Sequence, residues 1–356
     1  MEQHKKYIFK IITSGGTGSG FAVKGYDFLI TNYHVVEGAK TLAVEDQERN
    51  RYFARVVMAN PELDLAFLHV EGISLADTSI TINPDLQIHN TQKVFINGFP
   101  FGMPFTITEG IISSTNQPMN NRHYVQTDAA VNPGNSGGPM LNQDGTLVGV
   151  TTSKFTEADN VGFAIHFNEV IKELRDFTFS DNVFRVKCNS CDHFIETETK
   201  FCPQCGNKVN ASVFEEFELS NFATFIESAI ADMGANPILC RAGRDVWEFH
   251  QGSALIRMFI FRSNYLIVTS PLVKLPKQNL APLYEYMLSH PYSPYHFGIS
   301  ENIIYLSYRV HLSDLFSEDS EKIKNHVRDI PKLADDLDNI LVEQYHCEYS
   351  IDSKLA

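Results

Sequence analysis

Between residues 20 and 175 the apolar positions come in short runs or strict alternation, as in Tyr52-Phe-Ala-Arg-Val-Val-Met58, Lys93-Val-Phe-Ile-Asn97, Phe105-Thr-Ile-Thr108, Tyr124-Val-Gln-Thr127 and Thr146-Leu-Val-Gly-Val-Thr151. Such runs, closed by turn residues, predict many short strands and hence an all-β barrel or sandwich. The period changes at Asn168-Glu-Val-Ile-Lys-Glu-Leu-Arg175, which reads as a helix. A cysteine-bearing stretch follows. From Ser212 onward helical and strand-like segments mix: a helix over 217–233, strands at 245–249, 254–261 and 265–269, a helix near 280–288, strands near 297–299 and 303–310, and a long acidic helix over 318–343. That order predicts an α+β unit. The expected division is 1–176, 177–211 and 212–356.

Composition narrows the function classes. At 356 residues and 43% hydrophobic content the chain has ample material for two or three packed cores. A net charge of −14 opposes non-specific attraction to nucleic acid or anionic lipid, and no basic run offsets it, so neither is expected as a partner. No stretch of 18 apolar residues is present to span a membrane. The first residues, Met1 to Thr13, place basic residues before apolar ones, but Lys10 breaks the apolar run and a small-residue cleavage site is lacking. They read as a retained structural segment, and the expected compartment is the cytoplasm. The Gly15–Gly20 cluster is followed by Phe21-Ala-Val rather than the Lys-Ser/Thr of a phosphate loop, so it reads as a strand entry.

Chemistry concentrates in Asp128-Ala-Ala-Val-Asn-Pro-Gly134-Asn-Ser136-Gly-Gly-Pro139. A serine hydroxyl needs a base and preorganised donors for the oxyanion. Glycines around Ser136 free the backbone so that the amides of Gly134 and Ser136 can converge beside the hydroxyl, which makes Gly134, Asn135 and Ser136 the candidate oxyanion-hole residues. Upstream, Phe28-Leu-Ile-Thr-Asn-Tyr-His34 is an apolar strand ending in a polar turn, and Asp64 opens another buried strand. The chain order His34, Asp64, Ser136 matches that of the chymotrypsin-type triad.

Seven blocks, Gly18-Ser-Gly-Phe21, Thr31-Asn-Tyr-His-Val-Val36, Asp64-Leu-Ala-Phe-Leu68, Gly98-Phe-Pro-Phe-Gly102, Thr108-Glu-Gly-Ile-Ile-Ser113, the run from Gln126 to Pro139, and Val161-Gly-Phe-Ala-Ile165, resemble in order those of the HtrA (Deg) trypsin-like serine proteases. The resemblance covers roughly residues 10 to 175. It implies two six-stranded β-barrels with His34 and Asp64 in the first, Ser136 in the second and the cleft between them. It also implies an S1 pocket floored by Ala130 and walled by Phe163, Ala164 and Ile165. With no charge there, the resemblance points to cleavage after small or medium aliphatic residues of a protein or peptide. The competing reading is a latent protease-like sensor that holds peptides without turnover. HtrA proteases often trimerise through N-terminal aromatics, for which Tyr7 and Phe9 are the candidates, although the same residues also suit the barrel wall.

Cys188-Asn-Ser-Cys191 and Cys202-Pro-Gln-Cys205 are paired Cys-x-x-Cys knuckles with ten residues between them. Four thiolates at this spacing fit one tetrahedral Zn2+, closed and structural, with no role in catalysis; the alternatives are two disulfides or a redox pair, which the expected cytosolic setting disfavours. The second knuckle resembles those of zinc ribbons and rubredoxins. Cys240 and Cys347 read as leftover thiols. The element order after residue 212 resembles the type III secretion chaperone and YbjN-like fold, an antiparallel sheet backed by helices, which implies dimerisation or the docking of a protein partner.

Overall fold

Backbone pairing turns the apolar alternation into two rings of strands. The computed structural model describes residues 2–119, 122–152, 161–180, 183–289 and 292–353. In the first barrel β1 (Ile8–Ile12), β2 (Thr17–Ala22), β3 (Leu29–Thr31), β4 (Thr41–Glu45), β5 (Arg51–Asn60) and β6 (Leu65–Val70) run in the order β5-β4-β1-β2-β3-β6, and pairing of β5 with β6 closes the ring. The second barrel closes β7 (Lys93–Gly98), β8 (Thr106–Met119), β9 (Arg122–Thr127), β10 (Pro139–Leu141), β11 (Leu147–Thr152) and β12 (Gly162–His166) in the order β10-β11-β12-β9-β8-β7.

Alternating residues fill each ring: Phe9, Ile11, Leu42 and Val44 in the first, Val94, Ile96, Val125 and Val148 in the second. The opposite faces, with Phe21, Phe67 and Ile165, form a third cluster together with Val170 and Leu174 of a helix. Period-two geometry explains the division, because successive side chains leave a strand on opposite sides. Of the two places expected for Phe9, a trimer contact or the barrel wall, it takes the second, 4% exposed in the first barrel's core. Tyr7, also expected there, is half-buried and packs against the inter-barrel cluster.

Among the described residues the α-helices of this unit are α1 (Tyr33–Val36) and α2 (Phe167–Asp176). Beyond α2, β13 (Arg185–Lys187) pairs in parallel with β5, and β14 (Phe194–Ile195) pairs with β13. The four-cysteine stretch is therefore built onto the first sheet and does not stand alone as the expected 177–211 unit. Its apolar residues are too few for a separate core. Val186, Ile195, Val213 and Phe214 pack around Ala59 of β5 instead. Lys187, its side chain 1% exposed, fastens the stretch to α2 through Glu173 (2.9 Å) and Asp176 (2.7 Å). The chain divides into two compact units, Met1–Phe217 and Glu218–Ala356.

The second unit is α+β with a wholly antiparallel sheet. Its helices are α3 (Asn221–Asp232), α4 (Pro237–Cys240), α5 (Leu280–Ser289) and α6 (Ser320–Tyr345). Its strands are β15 (Arg241–Gly243), β16 (Val246–Gln251), β17 (Ala254–Phe261), β18 (Tyr265–Lys274), β19 (His296–Ser300), β20 (Ile303–His311) and β21 (Glu348–Tyr349). The order is β15-β16-β17-β18-β20-β19, with β21 on β18. Ile323, Val327, Ile330, Ala334, Leu337 and Leu341 repeat at the helical period and bury one stripe of α6 on this sheet. Among the described residues no helix is long and apolar enough to cross a membrane.

Candidate functional site

Asp64 is the organising residue of the site. Its φ of +60° lies in the left-handed region, which an aspartate tolerates better than most residues. That turn directs both its carbonyl and its carboxylate at the start of α1. The carbonyl accepts from the Tyr33 N–H (3.1 Å) and the Asn32 side-chain amide (2.9 Å), and Oδ1 accepts from the His34 N–H (3.0 Å). The two backbone donors, Tyr33 and His34, would otherwise be orphaned at a helix N-terminus. With α1 clasped in this way, the His34 ring faces the same carboxylate, Nδ1 donating to Oδ2 at 2.8 Å and standing 3.0 Å from Oδ1. The carboxylate is 7% exposed and the imidazole 31%, so the acid is shielded while the ring reaches solvent. Thr152 makes a longer approach of 3.5 Å to Oδ2.

Ser136 lies in the turn before β10. Gly134 and Gly137 hold φ of +97° and +82°, and a Cβ on Gly137 would collide with the Ser19 carbonyl and the Thr31 hydroxyl. Glycine is therefore required there on both conformational and steric grounds. Ser19 pins the turn from the first barrel: its N–H donates to the Ser136 carbonyl (2.8 Å), its hydroxyl donates to the Gly134 carbonyl (2.7 Å), and that hydroxyl accepts from the Phe99 N–H (3.0 Å). Ser19 escaped the sequence reasoning as an individual residue, although it lies within the Gly18–Phe21 block. His34, Gly134 and Ser136 line one cleft, whose rim includes Thr13, Thr17 and Phe217.

Two parts of the expected site change. Asn135 is 2% exposed and its N–H donates to the Asn132 carbonyl (2.9 Å), which removes it from the candidate oxyanion donors and leaves Gly134 and Ser136. The expected S1 residues do not gather in one place. Ala164 is buried inside the second barrel, Phe163 and Ile165 point to the other face, and Ile165 borders a different cavity with Tyr124 and His166. Three consecutive strand residues cannot present their side chains to one pocket. Ala130 is exposed, with its carbonyl bonded to the Thr108 hydroxyl at 2.9 Å.

The four cysteines come together. All four sulfurs lie within 4.8 Å of one another, with Cys188 and Cys205 at 3.8 Å and Cys191 and Cys202 at 3.7 Å. A tetrahedron with metal–sulfur bonds of about 2.3 Å has edges of about 3.8 Å, so the cluster has the size to hold one metal ion. The two knuckles are built alike. Asp192 and Gly206, each following a second cysteine, take φ of +60° and +74° and donate to the carbonyls of Cys188 (3.1 Å) and Cys202 (2.9 Å). Cys240 and Cys347 are buried in the second unit's core, and burial pushes the Cys347 thiol up to about 11.

Comparison with known proteins places these features in context. Residues 18–150 match the family model of the trypsin-like peptidase domain. A protein from Marinomonas sp. named as a probable periplasmic serine endoprotease DegP-like is 38% identical over 154 residues, 42% of this chain and 32% of that one. Protease Do-like 1, chloroplastic, from Arabidopsis thaliana is 37% identical over 169 residues, 44% of this chain and 38% of that one. Among solved structures, the serine endoprotease from Yersinia pestis is 28% identical, with a TM-score of 0.44, over 49% of this chain and 63% of that one.

The cytoplasmic expectation is corrected by these names, since relatives from Marinomonas, Hahella, Halomonas and Pseudomonas are all called periplasmic. Residues 8–12 form a barrel strand, as expected of a structural segment. The relatives' names refer to no metal, and the zinc expectation rests on the four cysteines alone. The chain spans about a third of the length of the curated relatives it matches. What the comparisons and the paired barrels establish together is a double-barrel segment similar to trypsin-like serine peptidases of the HtrA/DegP type.

Proposed function

We propose that the first unit is an HtrA-type serine endopeptidase acting on protein or peptide chains through His34, Asp64 and Ser136. The observation that carries this reading is the Asp64 carboxylate at 2.8 Å from His34 Nδ1, with the same imidazole and Ser136 bordering one cleft. Asp64 keeps the proton on Nδ1, so Nε2 is the free base. Ser136 Oγ attacks the scissile carbonyl as Nε2 takes its proton, and the carbonyl oxygen gains the negative charge beside the amides of Gly134 and Ser136. Collapse breaks the C–N bond as the imidazolium returns the proton to the leaving amine. A water then repeats the sequence on the acyl-enzyme, with His34 again as base, releasing the acid and restoring Ser136. The relatives' names as serine endoproteases support the same reaction class.

Ala130, small and uncharged, supports a preference for small or medium aliphatic residues at the cleaved position. Cys188, Cys191, Cys202 and Cys205 are assigned one structural Zn2+, which would brace the stretch on β5 and supply no chemistry to the reaction. The second unit, with an element order similar to the type III secretion chaperone and YbjN-like fold, is assigned to partner docking or dimerisation. An activity probe tests the core of this reading. A fluorophosphonate should label the full chain and leave Ser136→Ala unlabelled, whereas no labelling of the native chain in the presence of candidate substrates would overturn the peptidase reading.

A further inference from the structure

We propose that Phe217 is a specificity residue for the leaving-group side of the cleft, selecting substrates with an apolar residue just beyond the scissile bond. The inference rests on the peptidase reading above and assigns a role to a residue 81 positions beyond Ser136 in the chain, outside the segment matched by the peptidase family model. Phe217 is delivered to the cleft by a strap. The Phe217 N–H donates to the Gly38 carbonyl (2.8 Å), and the preceding Glu216 accepts from the Lys40 N–H (3.1 Å), so residues 216–217 run alongside the loop that follows α1. Gly38 holds φ of +70°, and the aromatic ring occupies the space that a Cβ there would take. The ring is thus seated on a backbone shaped for it, yet 60% of the residue stays exposed.

Its neighbours around the cleft identify which half of the substrate it would meet. Phe217 lines this cleft together with Thr13, Thr17, His34, Gly134 and Ser136. Ala130, which stands for the acyl side, does not line this cleft, and neither do residues 163–165. His34 is the group that hands its proton to the departing amine, so the space shared by His34 and Phe217 is where that amine and the residue attached to it must lie. An exposed ring seated on Gly38 beside that path offers an apolar surface with only two side-chain torsions to fix, the kind of contact that dominates peptide recognition. A Gly, Ser or charged residue in the substrate would leave the ring in water and gain nothing from it.

Three substrates with one acyl half test the proposal in the full chain: a quenched peptide with Phe or Leu immediately after the scissile bond, the same peptide with Gly there, and a methyl ester with no residue beyond the bond. The native protein should cleave all three, and Ser136→Ala none, which secures the peptidase reading independently. Phe217→Ala should then lower kcat/KM for the apolar peptide by about 5- to 20-fold, while the Gly peptide and the methyl ester stay within about twofold. Phe217→Leu should keep most of the preference, and the exposed position makes misfolding of these variants easy to detect by thermal melting. Equal losses on all three substrates, or no change on any, overturn the proposal. A rise on all three would identify the strap as a plug and also overturn it.

Discussion

Replacing Asp64 by Asn tests the site at its most constrained point. Oδ1 accepts the His34 backbone N–H at 3.0 Å, while Oδ2 accepts the Nδ1 proton at 2.8 Å. A carboxylate can serve both donors, and an amide can serve only one. If the Asn oxygen stays on the backbone N–H, its NH2 group faces Nδ1, and the imidazole must carry its proton on Nε2 to avoid two opposed donors. A ring protonated there cannot accept the Ser136 proton. If the amide flips, the α1 N–H is left unmatched at a cost of about 1–3 kcal/mol, and the imidazolium formed in the reaction still lacks its counter-charge. The expected loss is about 10⁴-fold in kcat, close to 5.5 kcal/mol of transition-state stabilisation. Steady-state cleavage of a quenched peptide, with fluorophosphonate labelling rates and a thermal melt to confirm the fold, measures it. Retention of more than a tenth of the native kcat/KM by a well-folded Asp64→Asn protein would refute the assignment of Asp64 and His34 as a working pair.

Other consequences are equally measurable. Ser19→Ala should strand the buried Phe99 N–H and Gly134 carbonyl that its hydroxyl serves, costing about 1–3 kcal/mol and lowering Tm, and it should reduce kcat more than it raises KM because the Ser136 turn loosens. Native mass spectrometry should find one zinc per chain that is removed by a strong chelator and absent from Cys205→Ser; identical masses before and after chelation would count against the metal assignment. In the second unit, burial first of all, with Asp335 and Asp336 adding repulsion, pushes the Asp338 carboxyl up to about 6 although the Ser253 hydroxyl at 2.8 Å opposes the shift. A folded-state value above the unfolded one of 3.8 means stability that is fully present below about pH 4 and lost as pH rises through 6. Asp338→Asn should therefore stabilise at pH 8, by on the order of 2–3 kcal/mol, and leave the melt near pH 4 little changed; an equal shift at both pH values would refute that cause.

Much of the site was legible in the sequence because each of its groups sits where local chemistry announces it. The glycines around Ser136 mark a turn that side chains would block, Asp64 and His34 each adjoin a largely apolar strand, and each Cys-x-x-Cys spacing keeps two thiols close enough to share one ion. Alternation and short apolar runs likewise carried β5, β7, β9 and β11 and the start of β8, with most strands of the second unit, while β4 and β10 do not stand out in the pattern. The short β15 and β21 carried too little pattern to be read, and β18 extends to Lys274 through a Pro271 that argued against a strand.

Folding decided whatever depends on groups far apart in the chain. Only the paired barrels turn Ser19 toward the Ser136 turn, commit the Asn135 amide to Asn132, and separate Ala164 from its neighbours by sending it into the second barrel. The same holds for the four-cysteine stretch, which a sequence reading makes a unit of its own and which parallel pairing with β5 builds into the first sheet. Phe217 is the clearest case, an aromatic residue with no motif around it that reaches the cleft because Gly38 leaves room for its ring. Residue types and their spacing specify local geometry and chemistry, while the choice of neighbour is made by strand register and long-range packing, which no short stretch of the chain contains.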